Sequence, residues 1–147
     1  MHCPTCASCQ RPKIARPSTL KYAPDFNDNI FVDGVAWTNS KGRDFHVYHV
    51  LDQATNYHVA VPAPSRAADQ VIERLPEACF HWAGPPNLIV TDAATEFESE
   101  AFEAFLQRYD VKSNTIAPHA HWQNGRSERH GQILQHMLTK LDKEFPI

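Results

Sequence analysis

Three acids in this chain are placed to do chemistry: Asp33, Asp92 and Glu128. Asp33 sits inside the apolar segment 29–37 (NIFVDGVAW), and Asp92 ends the apolar run 89–92 (IVTD). Glu128 follows after 35 intervening residues, within the run 123–129 (QNGRSER) at the head of a long amphipathic pattern. Two carboxylates at strand positions and one on a helix are the parts of a divalent-metal site that moves phosphate esters. Hard cations such as Mg²⁺ or Mn²⁺ prefer oxygen ligands, and two such ions about 3.5–4 Å apart can activate an attacking oxygen and hold a leaving one. Each acid also has a plainer reading. Asp33, just before Gly34, suits a structural carboxylate that closes a strand. An unpaired buried carboxylate is costly, however, so among large apolar neighbours it needs a cation or donors. Glu128 lies roughly 150° from the middle of its helix's apolar stripe, so it is not there for packing. Alone, it would be a solvated glutamate near a helix start, where the dipole favours acids.

The elements that must position these acids follow from periodicity. Residues 29–37 read as a strand with Ile30, Val32 and Ala36 on one face and Phe31, Asp33, Val35 and Trp37 on the other. Residues 43–51 and 56–62 are rich in β-branched and aromatic residues and are bounded by turn-like stretches, so three strands form an antiparallel meander. His46, His49 and His58 fall at strand positions and read as packed or half-exposed residues rather than ligands. Ser65 is placed to cap a helix running to about Trp82, which Pro76 bends or splits. Gly84-Pro85-Pro86 forces a turn. Residues 87–91 then form a short apolar strand suited to burial on both faces in a parallel part of a sheet. Asp92 falls at its carboxyl end, where open α/β sheets bind ligands. A helix over 98–109 turns Phe102, Phe105 and Leu106 inward, and residues 111–116 make another strand. Residues 117–123 read as a mobile loop. The last helix starts near Asn124 and carries Ile133, Leu134, Met137, Leu138 and Leu141 on one stripe.

The chain's 147 residues leave room for one domain and a short appendage. We divide it into residues 1–18, a terminal segment with its linker that by the resemblance given below is the remnant of an amino-terminal zinc-binding domain, and residues 19–147, the core. No apolar run approaches a membrane span and no signal-peptide pattern opens the chain. The formal charge of −3 argues against a nucleic-acid binder. Metal-binding acids count as negative until ions neutralise them, though, and the chain reads as a fragment of a larger polyprotein product. Cys79 lies in a helical pattern as a small buried hydrophobe. Cys3, Cys6 and Cys9 have only Cys79 to pair with, so a disulfide framework does not follow, and a reducing, intracellular setting does. Cys6 and Cys9 have the spacing of half a tetrahedral Zn²⁺ site, and His2 and Cys3 would complete it only in a cramped arrangement. A frayed end is the alternative.

The segment from about Asp28 to Leu141 resembles the integrase catalytic core of gypsy-type LTR retrotransposons and retroviruses. Asp, then Asp, then 35 residues, then Glu is that family's signature. Around it stand Leu51-Asp52 with Tyr57, Thr91-Asp92 with Glu96-Phe97, Pro118-His119, and Asn124-Gly125 leading to Glu128-Arg129. Cys6, Cys9, Gln10 and Lys13 match the end of the family's amino-terminal zinc-binding domain, without its upstream histidine pair. The resemblance implies a ribonuclease-H-like α/β fold, a five-stranded mixed sheet flanked by helices. It implies an enzyme that trims the 3′ ends of element cDNA with water and then joins the exposed 3′-hydroxyl to target DNA. In that scheme Asp33 bridges two Mg²⁺ (or Mn²⁺) ions, Asp92 binds one and Glu128 the other. His119, Gln123, Asn124, Arg126 and Arg129 lie near double-stranded DNA. A homodimer or higher multimer, working in the nucleus or a retrotransposon particle and away from membranes, is expected. One departure matters: the family usually has glycine two residues after the second acid, and this chain has Ala94, which narrows the allowed backbone there.

Two other readings compete. One is a related DDE transposase or nuclease on the same fold, against which the Asn-Gly-x-x-Glu-Arg run speaks. The other is an inactive, domesticated module kept for nucleic-acid or protein contact, favoured by the net negative charge and by Ala93-Ala94 and opposed by the intact acid triad.

Overall fold

A computed structural model describes residues 25–117 and 125–147. Its centre is a five-stranded sheet in the order β3-β2-β1-β4-β5. The strands are β1 (Asn29–Thr38), β2 (Asp44–Asp52), β3 (His58–Ala63), β4 (Leu88–Asp92) and β5 (Lys112–Ile116). β1, β2 and β3 pair antiparallel as a meander, while β4 lies parallel to β1 and β5 parallel to β4. This is the mixed sheet that the alternating and continuous apolar runs call for. The short turns are built by residues that tolerate positive φ: Gly42 between β1 and β2, and Asn56 between β2 and β3. Buried Asp52 fixes the second turn. Its carboxylate accepts from Asn27 N (2.8 Å), Thr55 N (2.8 Å) and Thr55 Oγ1 (2.7 Å).

The alternation in β1 sorts the two faces of the sheet as the pattern requires. Ile30 and Val32 join the main core with Tyr48, Val50 and Ile89. That face is covered by α1 (Ala68–Leu75), a π-helical turn (Pro76–Phe80), α2 (His81–Ala83) and α3 (Glu100–Arg108). Val71, Leu75, Phe80, Phe102, Phe105 and Leu106 fill it, with Phe80 stacked on Phe105 at 5.7 Å. Phe31, Leu51, Val90 and Ile116 cluster on the opposite face, where α4 (Gly125–Glu144) lies over β1 and β2.

Three helical expectations need correction. Ser65 does not cap the first helix: Ala67 precedes it without a side-chain cap bond. Pro76 closes α1 without breaking the helical run. It stands at the first position of a π turn that carries the chain into α2, which accommodates its missing N–H. The stripe of α4 is its packed face only in part: Leu134 and Leu138 are half-buried. Ile133, Met137 and Leu141 are 46, 56 and 47 % exposed, whereas Ser127, Gly131 and Asp142 are buried. Small residues win because they let the helix backbone close on the sheet. Trp37 Nε1 then donates to Thr139 Oγ1 (3.1 Å), and Gln135 Nε2 donates to the Ala36 carbonyl (2.8 Å). Among the described residues, no helix is long and apolar enough to cross a membrane.

Candidate active site

β1 and β4 run parallel with Phe31 opposite Val90. The pairing ends there, and two residues further along each strand stand Asp33, in the middle of β1, and Asp92, at the carboxyl end of β4, both on the face that α4 covers. The electrostatics agree. Burial and the neighbouring charge of Asp33 together hold the Asp92 carboxyl above the usual carboxylate range. The Asp33 side chain is 19 % exposed, open enough for a ligand yet poorly solvated. Each aspartate is tethered by one backbone amide: Gly34 N donates to Asp33 Oδ1 (2.8 Å) and Ala94 N to Asp92 Oδ1 (3.2 Å). Ala94 does this without positive φ, so the chain needs no glycine there. Its methyl packs against the main core instead.

Two like charges held together at a strand end suit a cation. Their oxygens are hard donors, and each carboxylate keeps lone pairs beyond its backbone bond. Glu128 lies in the first turn of α4 and is exposed. Among the described residues no three His, Cys, Asp or Glu side chains come together closely enough to hold a metal. Asp33 and Asp92 influence one another through their charge, and Glu128 approaches this pair from the other element of the site, the first turn of α4.

The remaining site residues divide as follows. Arg126 turns toward the β2–β3 turn, where its Nη1 donates to the Gln53 carbonyl (2.7 Å) and Asn56 Oδ1 (3.3 Å). Arg129 is exposed on α4 and lines a surface groove with His136 and Lys140. Cys6, Cys9, His119, Gln123 and Asn124 lie outside the described residues.

Two arrangements beside the aspartates escaped the sequence. Arg66, just before α1, lies over Gly34, so that a Cβ there would stand 3.0 Å from its Nε. That same Nε donates to Glu96 Oε1 at 3.1 Å, pairing a carboxylate only 7 % exposed. The guanidinium lowers, and Glu96 raises, the Asp92 carboxyl. On the α4 face, His49 is fully buried opposite Asp33, with Nε2 3.8 Å from Asp33 Oδ2. Its Nδ1 meets His58 Nε2 at 3.0 Å, and His58 in turn packs edge-on to His130 of α4 (5.1 Å). Burial and the two flanking histidines push His58 down to about 4, so its ring is neutral at neutral pH. Reading the histidines as packed strand residues was correct. The nine-residue spacing of His49 and His58, across a hairpin whose register is not yet known, hides that these two line up toward Asp33.

A family model, the integrase core domain, matches residues 27–121. The chain is 28 % identical over 111 residues (76 % of the chain, 13 % of the relative) to an intracisternal A-particle Pol-related polyprotein of mouse intracisternal A-particle MIA14. It is 26 % identical over 125 residues (83 % of the chain, 10 % of the relative) to the retrovirus-related Pol polyprotein from transposon 412 of Drosophila melanogaster. It therefore spans about a tenth of the length of these curated relatives. Among solved structures, the simian T-cell lymphotropic virus intasome in complex with a PP2A regulatory subunit contains a chain similar to this one. The TM-score is 0.81 at 19 % identity, covering 96 % of this chain and 51 % of that one. The HTLV-2 integrase catalytic core domain in complex with magnesium, in its dimeric form, gives a TM-score of 0.70 at 19 % identity, covering 82 % of this chain and 76 % of that one. These likenesses confirm the ribonuclease-H-like fold.

Proposed function

The chain belongs to the integrase core domain family, of retroviral and retrotransposon type, and we propose that it catalyses metal-dependent 3′-end processing and strand transfer of element cDNA into target DNA. The observation that carries this reading is the nearness of Asp33, in the middle of β1, to Asp92, at the carboxyl end of parallel β4, where the charge of Asp33 disfavours ionisation of Asp92. Asp33 and Asp92 hold the divalent ions, Mg²⁺ or Mn²⁺, and Glu128 is the third ligand, brought in from the first turn of α4. When bound, the ions supply Lewis-acid activation of the attacking oxygen and stabilise the leaving one. The protein's own part is to hold the carboxylates at fixed positions through the Gly34 and Ala94 amides and to orient the DNA. Arg129, on the exposed side of α4, and Arg126, at its start, are placed to neutralise phosphates. His119, Gln123 and Asn124, between β5 and α4, contact the DNA end beside them.

The wider assembly is inferred from relatives and surfaces. Residues 19–147 are the catalytic core, and residues 1–18 end a preceding domain in which Cys6 and Cys9 ligate Zn²⁺. The exposed Ile133, Met137 and Leu141 offer an apolar face for a homodimer, and a similar core is described in a dimeric form. The protein acts within the element's particle or the nucleus.

A second reading, a catalytically inactive module for nucleic-acid or protein binding, is favoured by the formal charge of −3 and by Ala93-Ala94 after the second acid. A disintegration assay on branched DNA, run with Mg²⁺ or Mn²⁺, decides between them. Metal-dependent product that is lost in Asp33→Asn and Glu128→Gln supports the enzyme. Product that survives Glu128→Gln removes Glu128 from the triad, and no product from folded wild-type protein with either metal supports the inactive module.

A further inference from the structure

We propose that His49 is a positioning residue for Asp33, a buried imidazole whose Nε2–H is held toward the Asp33 carboxylate by His58 behind it and by α4 above it. The inference rests on the reading of Asp33 as a metal ligand. His49 has no access to solvent, so its ring hydrogen must be placed within the protein. One nitrogen, Nδ1, is taken by His58 Nε2 at 3.0 Å. The other, Nε2, has no hydrogen-bond partner among the described residues, and the nearest charge is Asp33 Oδ2 at 3.8 Å.

A neutral imidazole carries its proton on one nitrogen only. With Nδ1–H, the Nε2 lone pair would face a carboxylate oxygen, which is repulsive in a poorly solvated site. With Nε2–H, the N–H dipole points at the carboxylate and Nδ1 becomes the acceptor. His58 must then be the donor through its own Nε2–H, and it is neutral, so it has the proton to offer in that tautomer. For neutral rings, the Nε2–H form of both histidines follows from the Asp33 end.

The gap of 3.8 Å is too long for a hydrogen bond. A small rotation of the Asp33 side chain closes it, and that rotation leaves the carboxylate anchored on two sides, by Gly34 N on Oδ1 and by His49 on Oδ2. A buried donor that gains its bond only when the carboxylate turns favours one orientation of the ligand. The imidazole is enclosed: Gly131 of α4 faces it, where a Cβ would reach ordinary contact at 3.4 Å from His49 Nε2, and His58 lies at its other nitrogen.

Two measurements test this on the whole chain. Two-bond ¹H–¹⁵N spectra of the histidine rings in metal-free wild-type protein read the tautomers directly. Nε2–H on both His49 and His58 is expected, and Nδ1–H on His49 overturns the inference. Calorimetric titration with Mn²⁺ alone reads the consequence. His49→Phe should bind about tenfold more weakly than wild type, the lower end of what a group behind a metal ligand contributes. His49→Gln, which restores an N–H donor, should recover most of that loss. Equal affinity in wild type and His49→Phe, or equal loss in His49→Phe and His49→Gln, overturns the positioning role while Asp33→Asn still abolishes binding. Unchanged binding in Asp33→Asn overturns the metal assignment beneath it as well.

Discussion

Gly131 gives the sharpest prediction from packing, because two substitutions there should move stability in opposite directions. In the middle of a helix, glycine costs about 0.5–1 kcal/mol relative to alanine through its larger loss of backbone freedom. At Gly131 a methyl group would meet His49 Nε2 and Val35 Cγ2 at 3.4 Å each, which is ordinary contact rather than a clash. Gly131→Ala should therefore stabilise the protein by about 0.5–1 kcal/mol. Gly131→Leu adds branched carbons beyond that methyl, into space filled by His49 and Val35, both buried. Neither can yield, so overpacking of about 1–3 kcal/mol outweighs the helix gain. Urea unfolding of the two variants should show midpoints displaced to either side of wild type at unchanged slope. Destabilisation by Gly131→Ala of more than 1 kcal/mol, or a neutral Gly131→Leu, would refute the seating of α4 on β1 and β2.

Other consequences can be measured on the same protein. Asp92 is held above its ordinary range in the fold, so the folded state pays a penalty that is absent at low pH and complete once pH has risen past the raised value. Asp92→Asn should accordingly raise the melting temperature of metal-free protein at neutral pH, and should cancel any rise that Mg²⁺ or Mn²⁺ gives to wild type. His58 is depressed from 6.5 to about 4. Stability is thus complete above pH 6.5 and declines as pH falls toward 4, by up to about 3 kcal/mol; urea midpoints across that range should flatten in His58→Phe. Asp52→Ala leaves Asn27 N and both donors of Thr55 without their acceptor. It should cost about 3 kcal/mol in the same unfolding assay.

Much of the fold was legible because its signals are local. Alternation placed Asp33 on the face of Phe31, Val35 and Trp37, and the structure keeps it there. A continuous apolar run marked β4 as an interior parallel strand, and Gly84-Pro85-Pro86 marked the turn before it. What failed depends on competition between packing choices. The α4 stripe of Ile133, Met137 and Leu141 has helical period, but Ser127 and Gly131 pack closer, and period cannot rank two candidate faces. Pro76 reads as a breaker unless the backbone can widen to a π turn, which no single residue announces. At the site, Asp33 stood out as an acid within an apolar run and Asp92 as an acid ending one. The Arg66–Glu96 pair and the histidine line to Asp33 were not, since both depend on the register between distant segments.

The central claim is that the carboxylates of Asp33 and Asp92 share a divalent cation. Anomalous diffraction from crystals of the chain grown with Mn²⁺ tests it most directly. A manganese peak bound by both carboxylates, with Glu128 drawn toward it, is the predicted result. Both aspartates left without metal at saturating Mn²⁺ would contradict it.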